Sequence, residues 1–179
     1  MRVTISRRKT ALRFALGVFA TFASPITGNA DEDWRTTAVS GTWAAEEHHP
    51  SQIAPTDACV AAETSSGVML RSGKSGVELR ILDEDWSLPT GIHGEVVLTI
   101  AAFRLAKPIT ANTSNIIAVR LEADEVDSLF VAMDKGTSMD LAIGKQKKLV
   151  SLIGSTKVTN AFRTCAGLHG AAPGNNPFQ

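Results

Sequence analysis

Side chains that commonly do chemistry are scarce in this chain. It has two cysteines and four histidines among 179 residues. Neither Cys59 nor Cys165 has a second cysteine at ligand spacing, which argues against a zinc site. The nucleophile-elbow pattern Gly-x-Ser-x-Gly is absent, and so is the metalloprotease pattern His-Glu-x-x-His. A serine, histidine and aspartate brought together from distant positions would leave no such trace. Long apolar runs are missing too. The longest, over 14–23, is about ten residues, half of the roughly 20 that a spanning helix needs. No internal repeat and no calcium-loop pattern is found.

The first thirty residues are the most telling. Arg2, Arg7, Arg8, Lys9 and Arg13 precede the apolar run, with no acidic residue among them. A turn-prone stretch ending Gly28-Asn29-Ala30 follows. Basic, apolar and small-residue segments in that order read as a secretory signal peptide cleaved after residue 30. Ser6-Arg7-Arg8 hints at twin-arginine export, although Thr10 and Ala11 stand where an apolar pair usually follows. The expected destination is outside the cytoplasm: the periplasm first, the cell surface or medium as alternatives. Cleavage leaves 13 basic against 18 acidic residues, a net charge of −5. That balance disfavours nucleic acid and anionic lipid as partners. In an oxidising compartment, lone Cys59 and Cys165 read as a disulfide, with two buried thiols as the alternative.

Residues 31–57 are polar and read as an edge strand around 34–40 followed by a long loop. From residue 58 short apolar runs recur between turn residues. Strands are expected over 58–63, 68–71, 77–82, 96–102, 116–122, 139–143 and 148–153. In Val77-Glu-Leu-Arg-Ile81 apolar and charged residues alternate, the period-two pattern of a half-buried strand. Helices are expected over 125–135, capped by Asp124, and over 156–166, capped by Ser155. Cys165 falls on the apolar face of the second. A disordered tail is expected over 168–179. Residues 58–167 thus form a mainly β domain: an antiparallel β-sandwich with two short helices in its C-terminal half.

Candidate sites each have an ordinary reading. Gly73-Lys74-Ser75 resembles the end of a phosphate loop, but Gly67 is one residue too distant, so a hairpin turn is expected. Glu46-Glu47-His48-His49 offers metal ligands, yet neighbours on an extended chain point apart, so a solvated loop is expected. His93 lies between glycines and His169 in the tail. Asp83-Glu84-Asp85 reads as a charged rim at a strand end. Asp124, Glu125 and Asp127 suit the positive end of a helix dipole. Asn112-Thr113-Ser114 fits a glycosylation acceptor, relevant only in a eukaryotic source. No catalytic, cofactor-binding or metal-binding residue is assigned.

The order of features over 68–165 resembles the invasion-associated locus B-like family of proteobacterial exported proteins. The resemblance rests on Trp86-Ser-Leu-Pro89, on Phe130-Val-Ala-Met133 leading to Gly136, and on Met139-Asp-Leu-Ala-Ile143. Val150-Ser-Leu-Ile-Gly154, Ala161-Phe162 and Cys165-Ala166 complete it. It implies a periplasmic or surface β-sandwich with an envelope or host-contact role and no defined catalytic residues. The expected function is a non-enzymatic binding module for an unknown protein or envelope component. The alternative is a small periplasmic hydrolase with a site assembled from loops carrying His48, His49, His93 and Asp83–Asp85.

Overall fold

The structure is a computed structural model that describes residues 33–168 apart from 52, 53, 90 and 112. The leader expected over 1–30, Asn112 and the tail from His169 onward lie outside the described residues. Ten strands and two helices follow in order: β1 (Asp33–Ser40), β2 (Trp43–His49), β3 (Ala58–Glu63), β4 (Val68–Gly73), β5 (Gly76–Leu82), β6 (His93–Ile100), β7 (Phe103–Thr110), β8 (Ile116–Leu121), α1 (Ala123–Lys135), β9 (Ser138–Ile143), β10 (Gln146–Ser151) and α2 (Ser155–Cys165). Two antiparallel sheets pack together, ordered β1-β2-β3-β4-β5-β8 and β10-β9-β6-β7. This is the expected β-sandwich.

Alternation sets the layers. Leu70, Leu79 and Val119 lie side by side in register across β4, β5 and β8, all buried. Leu98 faces Leu141 across β6 and β9 in the second sheet, and both are buried. Helix α1 adds Val126, Leu129, Phe130 and Met133 to the same core. Helix α2 packs on β1, β2 and β3 and buries Val158 and Phe162. The Phe130 and Phe162 rings meet at 6.0 Å, and the Arg163 guanidinium lies 4.4 Å from the Phe130 ring. Cys59 of β3 and Cys165 of α2 form a disulfide, with Cα atoms 6.0 Å apart. It closes a loop across 106 positions.

Several expectations need correction. Residues 41–57 are not one loop, because β2 pairs with both β1 and β3. Its Ala and Glu residues have weak strand preference, but Trp43 and Ala45 point inward and are buried. Trp43 Nε1 donates to Ser151 O at 2.7 Å and so ties the first sheet to the edge of the second. The sandwich domain therefore begins at β1 and not at residue 58. β6 ends at Ile100, and β7 follows after a turn in which Ala101 adopts φ 49°. Pro108 disguises β7, yet an edge strand tolerates a missing N–H.

Both helix starts also shift. Helix α1 is capped by Glu122, because the Glu125 carboxylate reaches back to the Glu122 N–H at 2.8 Å. The same carboxylate takes Lys107 Nζ at 2.8 Å, which fastens α1 to β7. These hydrogen bonds, Lys107 foremost, hold the Glu125 pKa below its ordinary value. Gly154 is the cap of α2, with φ 91°. A Cβ there would meet Ser40 O at 2.4 Å, so only glycine fits. Ser155 is the first helical residue and is fully buried. Of the expected tail, Leu168 is tied by its N–H to Arg163 O at 2.9 Å.

Candidate binding site

The described histidines do not converge on one site. His48 and His49 stand on β2 rather than in a loop, and each has a carboxylate partner on its own face. His48 Nδ1 lies 2.6 Å from Asp57 Oδ1, and its ring meets that of Trp34, its cross-strand neighbour, at 4.7 Å with the planes tilted by 45°. His49 Nδ1 donates to Ala54 O at 3.1 Å, and its Nε2 lies 3.1 Å from Glu47 Oε1. Both partners accept, so the doubly protonated ring satisfies both. The Glu47 hydrogen bond first and the Ala54 carbonyl second raise the His49 pKa. The hydrogen bond from His48 correspondingly lowers that of Asp57. These placements correct the expectation of a solvated loop for His48 and His49. Their contacts tie Ala54 and Asp57 to β2. Among the described residues, no group of three or more His, Cys, Asp or Glu is placed to hold a metal ion.

The remaining sequence candidates are mostly structural. Lys74 and Ser75 form the turn between β4 and β5, whose ends Gly73 and Gly76 pair. The Glu125 carboxylate accepts from the Glu122 N–H at the start of α1, as described above. Asp83 is more than a charged rim. Its carboxylate takes Lys148 Nζ at 3.0 Å and the Asp85 N–H at 3.1 Å, which starts the turn after β5. Glu84 and Asp85 are exposed.

That turn leads into the segment of interest. Residues 83–92 cross from the first sheet to the second over one end of the sandwich. There β5 and β9 end, and β8, β6 and β10 begin. Beneath lies a pocket of about 210 Å³. Ile117 of β8 forms one wall; Ile109 of β7 and Ile143 of β9 form the other. Trp86, Leu88 and Ile92 of the crossing segment complete it. His93, Glu95 and Gln146 also contribute, and His93 and Glu95 are exposed. The crossing segment is held by Leu88 N–H to Ser114 O at 2.8 Å and Gly91 N–H to Ala111 O at 2.9 Å. Trp86 is held through its side chain. Its Nε1 donates to Gln146 Oε1 at 2.8 Å, and Lys148 Nζ lies 5.7 Å from the ring centroid.

Gly94 fits this setting. It is the cross-strand partner of Ile109, and a Cβ on it would touch the Ile109 side chain at 3.5 Å, facing the pocket. Its φ is not in the left-handed region, so backbone geometry does not require glycine. A strand glycine without that requirement leaves space beside a buried isoleucine. Two wider hollows are more open. One of about 480 Å³ runs between α1 and the β6–β7 turn. Another, of about 520 Å³ and more polar, lies beside the disulfide and includes Asp57, Ser72 and Lys74.

Sequence reasoning missed the pocket, because its lining comes from four separated stretches, around 86–95, 109–111, 117 and 143–146. The available signals were Trp86 in a turn-rich connection and Gly94 in the turn before the strand expected from residue 96. No helix among the described residues is long and apolar enough to cross a membrane. No family model, no curated protein and no solved structure matches the chain.

Proposed function

We propose that this chain is an exported, non-enzymatic binding module of the periplasm or cell surface, and that its site is the pocket under Trp86. The observation that carries the reading is an apolar pocket between two sheets, covered by a segment fixed through a few polar contacts. Ligand sites are typically concave and apolar with few polar groups at the margin. The basic, apolar and small-residue order of residues 1–30 and the Cys59–Cys165 disulfide support export. The engaged nitrogens of His49 favour a clamp over a catalytic base. Kinship with the invasion-associated locus B-like family fits the same reading and belongs to the proposal.

One observation favours the runner-up, a small periplasmic hydrolase. The His48–Asp57 pair is within hydrogen-bond reach, and Asp57 borders the polar hollow beside the disulfide. The two readings separate in a strain lacking the gene. Complementation of the deletion phenotype is lost with Gly94→Leu and kept with His48→Gln if the pocket is the site. The reverse pattern, in variants folded by circular dichroism, contradicts the binding reading and favours the hydrolase.

A further inference from the structure

Resting on the reading above, we infer that the pocket under Trp86 takes a small, uncharged hydrophobic molecule, from a single aromatic ring to a branched chain of about eight carbons. Size sets the scale. An apolar cavity of about 150 Å³ admits benzene, and this pocket measures about 210 Å³. Its walls set the chemistry. Ile109, Ile117, Ile143, Leu88 and Trp86 supply hydrocarbon and an indole face, while Glu95 and His93 are exposed. A charged ligand would lose its hydration to these walls without a buried partner, which is costly.

Gly94 is the second observation. Every inward residue after it on β6, namely Val96, Leu98 and Ile100, is large and buried. At Gly94 the pattern stops and the space beside Ile109 stays open. Unfilled apolar space forgoes packing contacts, so a chain that merely needed a core would fill it. The covering is the third. Roof and walls both come from this chain, so an occupant would sit between groups of one protein and meet solvent at the exposed rim of Gly94 and Gln146, which suits a free molecule. Trp86 hangs on Gln146 and Lys148 at one side. These two contacts fix the ring at the pocket margin, while the Trp86 backbone N–H is held separately by Asp83 O at 3.1 Å.

The test uses the full exported chain with its disulfide intact. Toluene and p-xylene are titrated against thermal unfolding and tryptophan emission, with benzoate and benzylamine as charged analogues of similar size. The neutral pair should raise Tm by several degrees at saturation, by preferential binding to the folded state. Gly94→Leu, which fills the space, should weaken their affinity at least about tenfold. Gly94→Ala adds one methyl at ordinary contact distance and should keep binding, which guards against a folding artefact. No shift with either neutral compound overturns the inference, as does equal binding by benzoate or an undiminished response in Gly94→Leu. Should Gly94→Leu abolish complementation while no hydrophobe binds, the ligand class falls and the binding-module reading stands. Should toluene bind while Gly94→Leu complements fully, the ligand class stands and the module reading falls.

Discussion

Trp86 Nε1 and Gln146 Oε1 are hydrogen-bonded at 2.8 Å across 60 positions of sequence. The bond joins the segment that leaves the first sheet to the first residue of the last strand of the second. It is the only side-chain hydrogen bond described from the Trp86 ring, and Gln146 is exposed. Gln146→Ala should therefore cost only about 0.5–1.5 kcal/mol globally. Its local effect should be larger. Amide exchange at Leu88 and Gly91 should accelerate, while exchange at Leu79 and Leu98 stays slow. Uniform acceleration across the core would contradict a localised latch.

The Cys59–Cys165 disulfide should be complete in protein isolated without reductant. Thiol labelling under denaturing, non-reducing conditions should find no reactive thiol. Cys59→Ser with Cys165→Ser should lower stability by about 4–5 kcal/mol in the chain-entropy model, since the closed loop is long. Urea unfolding of the double variant measures it. A loss below about 1 kcal/mol would place the constraint elsewhere.

Phe162 and Gly154 test the seat of α2. Phe162 is buried against Phe130, so Phe162→Ala should cost about 3–5 kcal/mol. Gly154→Ala should also destabilise, since its Cβ would strike the Ser40 backbone at φ 91°. Denaturant midpoints read both. An unchanged midpoint in either variant would contradict the packing described.

Two carboxylate contacts should give opposite pH signatures. The raised His49 pKa means that its contribution is fully present below the ordinary value near 6.5. That contribution is lost as pH rises through the folded-state value. Glu63 runs the other way. Burial pushes its pKa up, but hydrogen bonds with Ser66, Thr42 and Ser65 outweigh burial, and the net shift is downward. Its contribution holds above the ordinary carboxylate value and is lost as pH falls through the folded one. Proton-detected titration should show Glu47→Gln lowering the His49 pKa. No change would remove Glu47 as its main partner.

How far the sequence could be read depends on how locally each feature is encoded. Val77, Leu79 and Ile81 alternate with Glu78 and Arg80, so β5 is legible from five residues. Strand β2 is not, because Ala44 to His49 carry no apolar alternation and owe their strand to pairing on both sides. Strand β7 hides behind Pro108, which only an edge position makes acceptable. Cys59 and Cys165 were readable as a pair because the leader expected over 1–30 implies an oxidising compartment, which leaves few other uses for two lone thiols. The pocket was not readable. Gly94, Ile109, Ile117 and Ile143 meet only after the sheets stack; Gly94 reads as a turn residue, Ile109 falls in no expected strand, and Ile117 and Ile143 read as ordinary strand residues.

The most direct measurement of the central claim is methyl NMR on isoleucine-labelled protein titrated with toluene. Ile109, Ile117, Ile143 and Ile92 line the pocket under Trp86, whereas Ile100 lines the groove at α1 and Ile81 lies in the core outside both. The account predicts saturable shifts at the first four, little change at Ile81 and Ile100, and loss of the response in Gly94→Leu. Shifts centred on Ile100, or no saturable shift at any of the four, would contradict it.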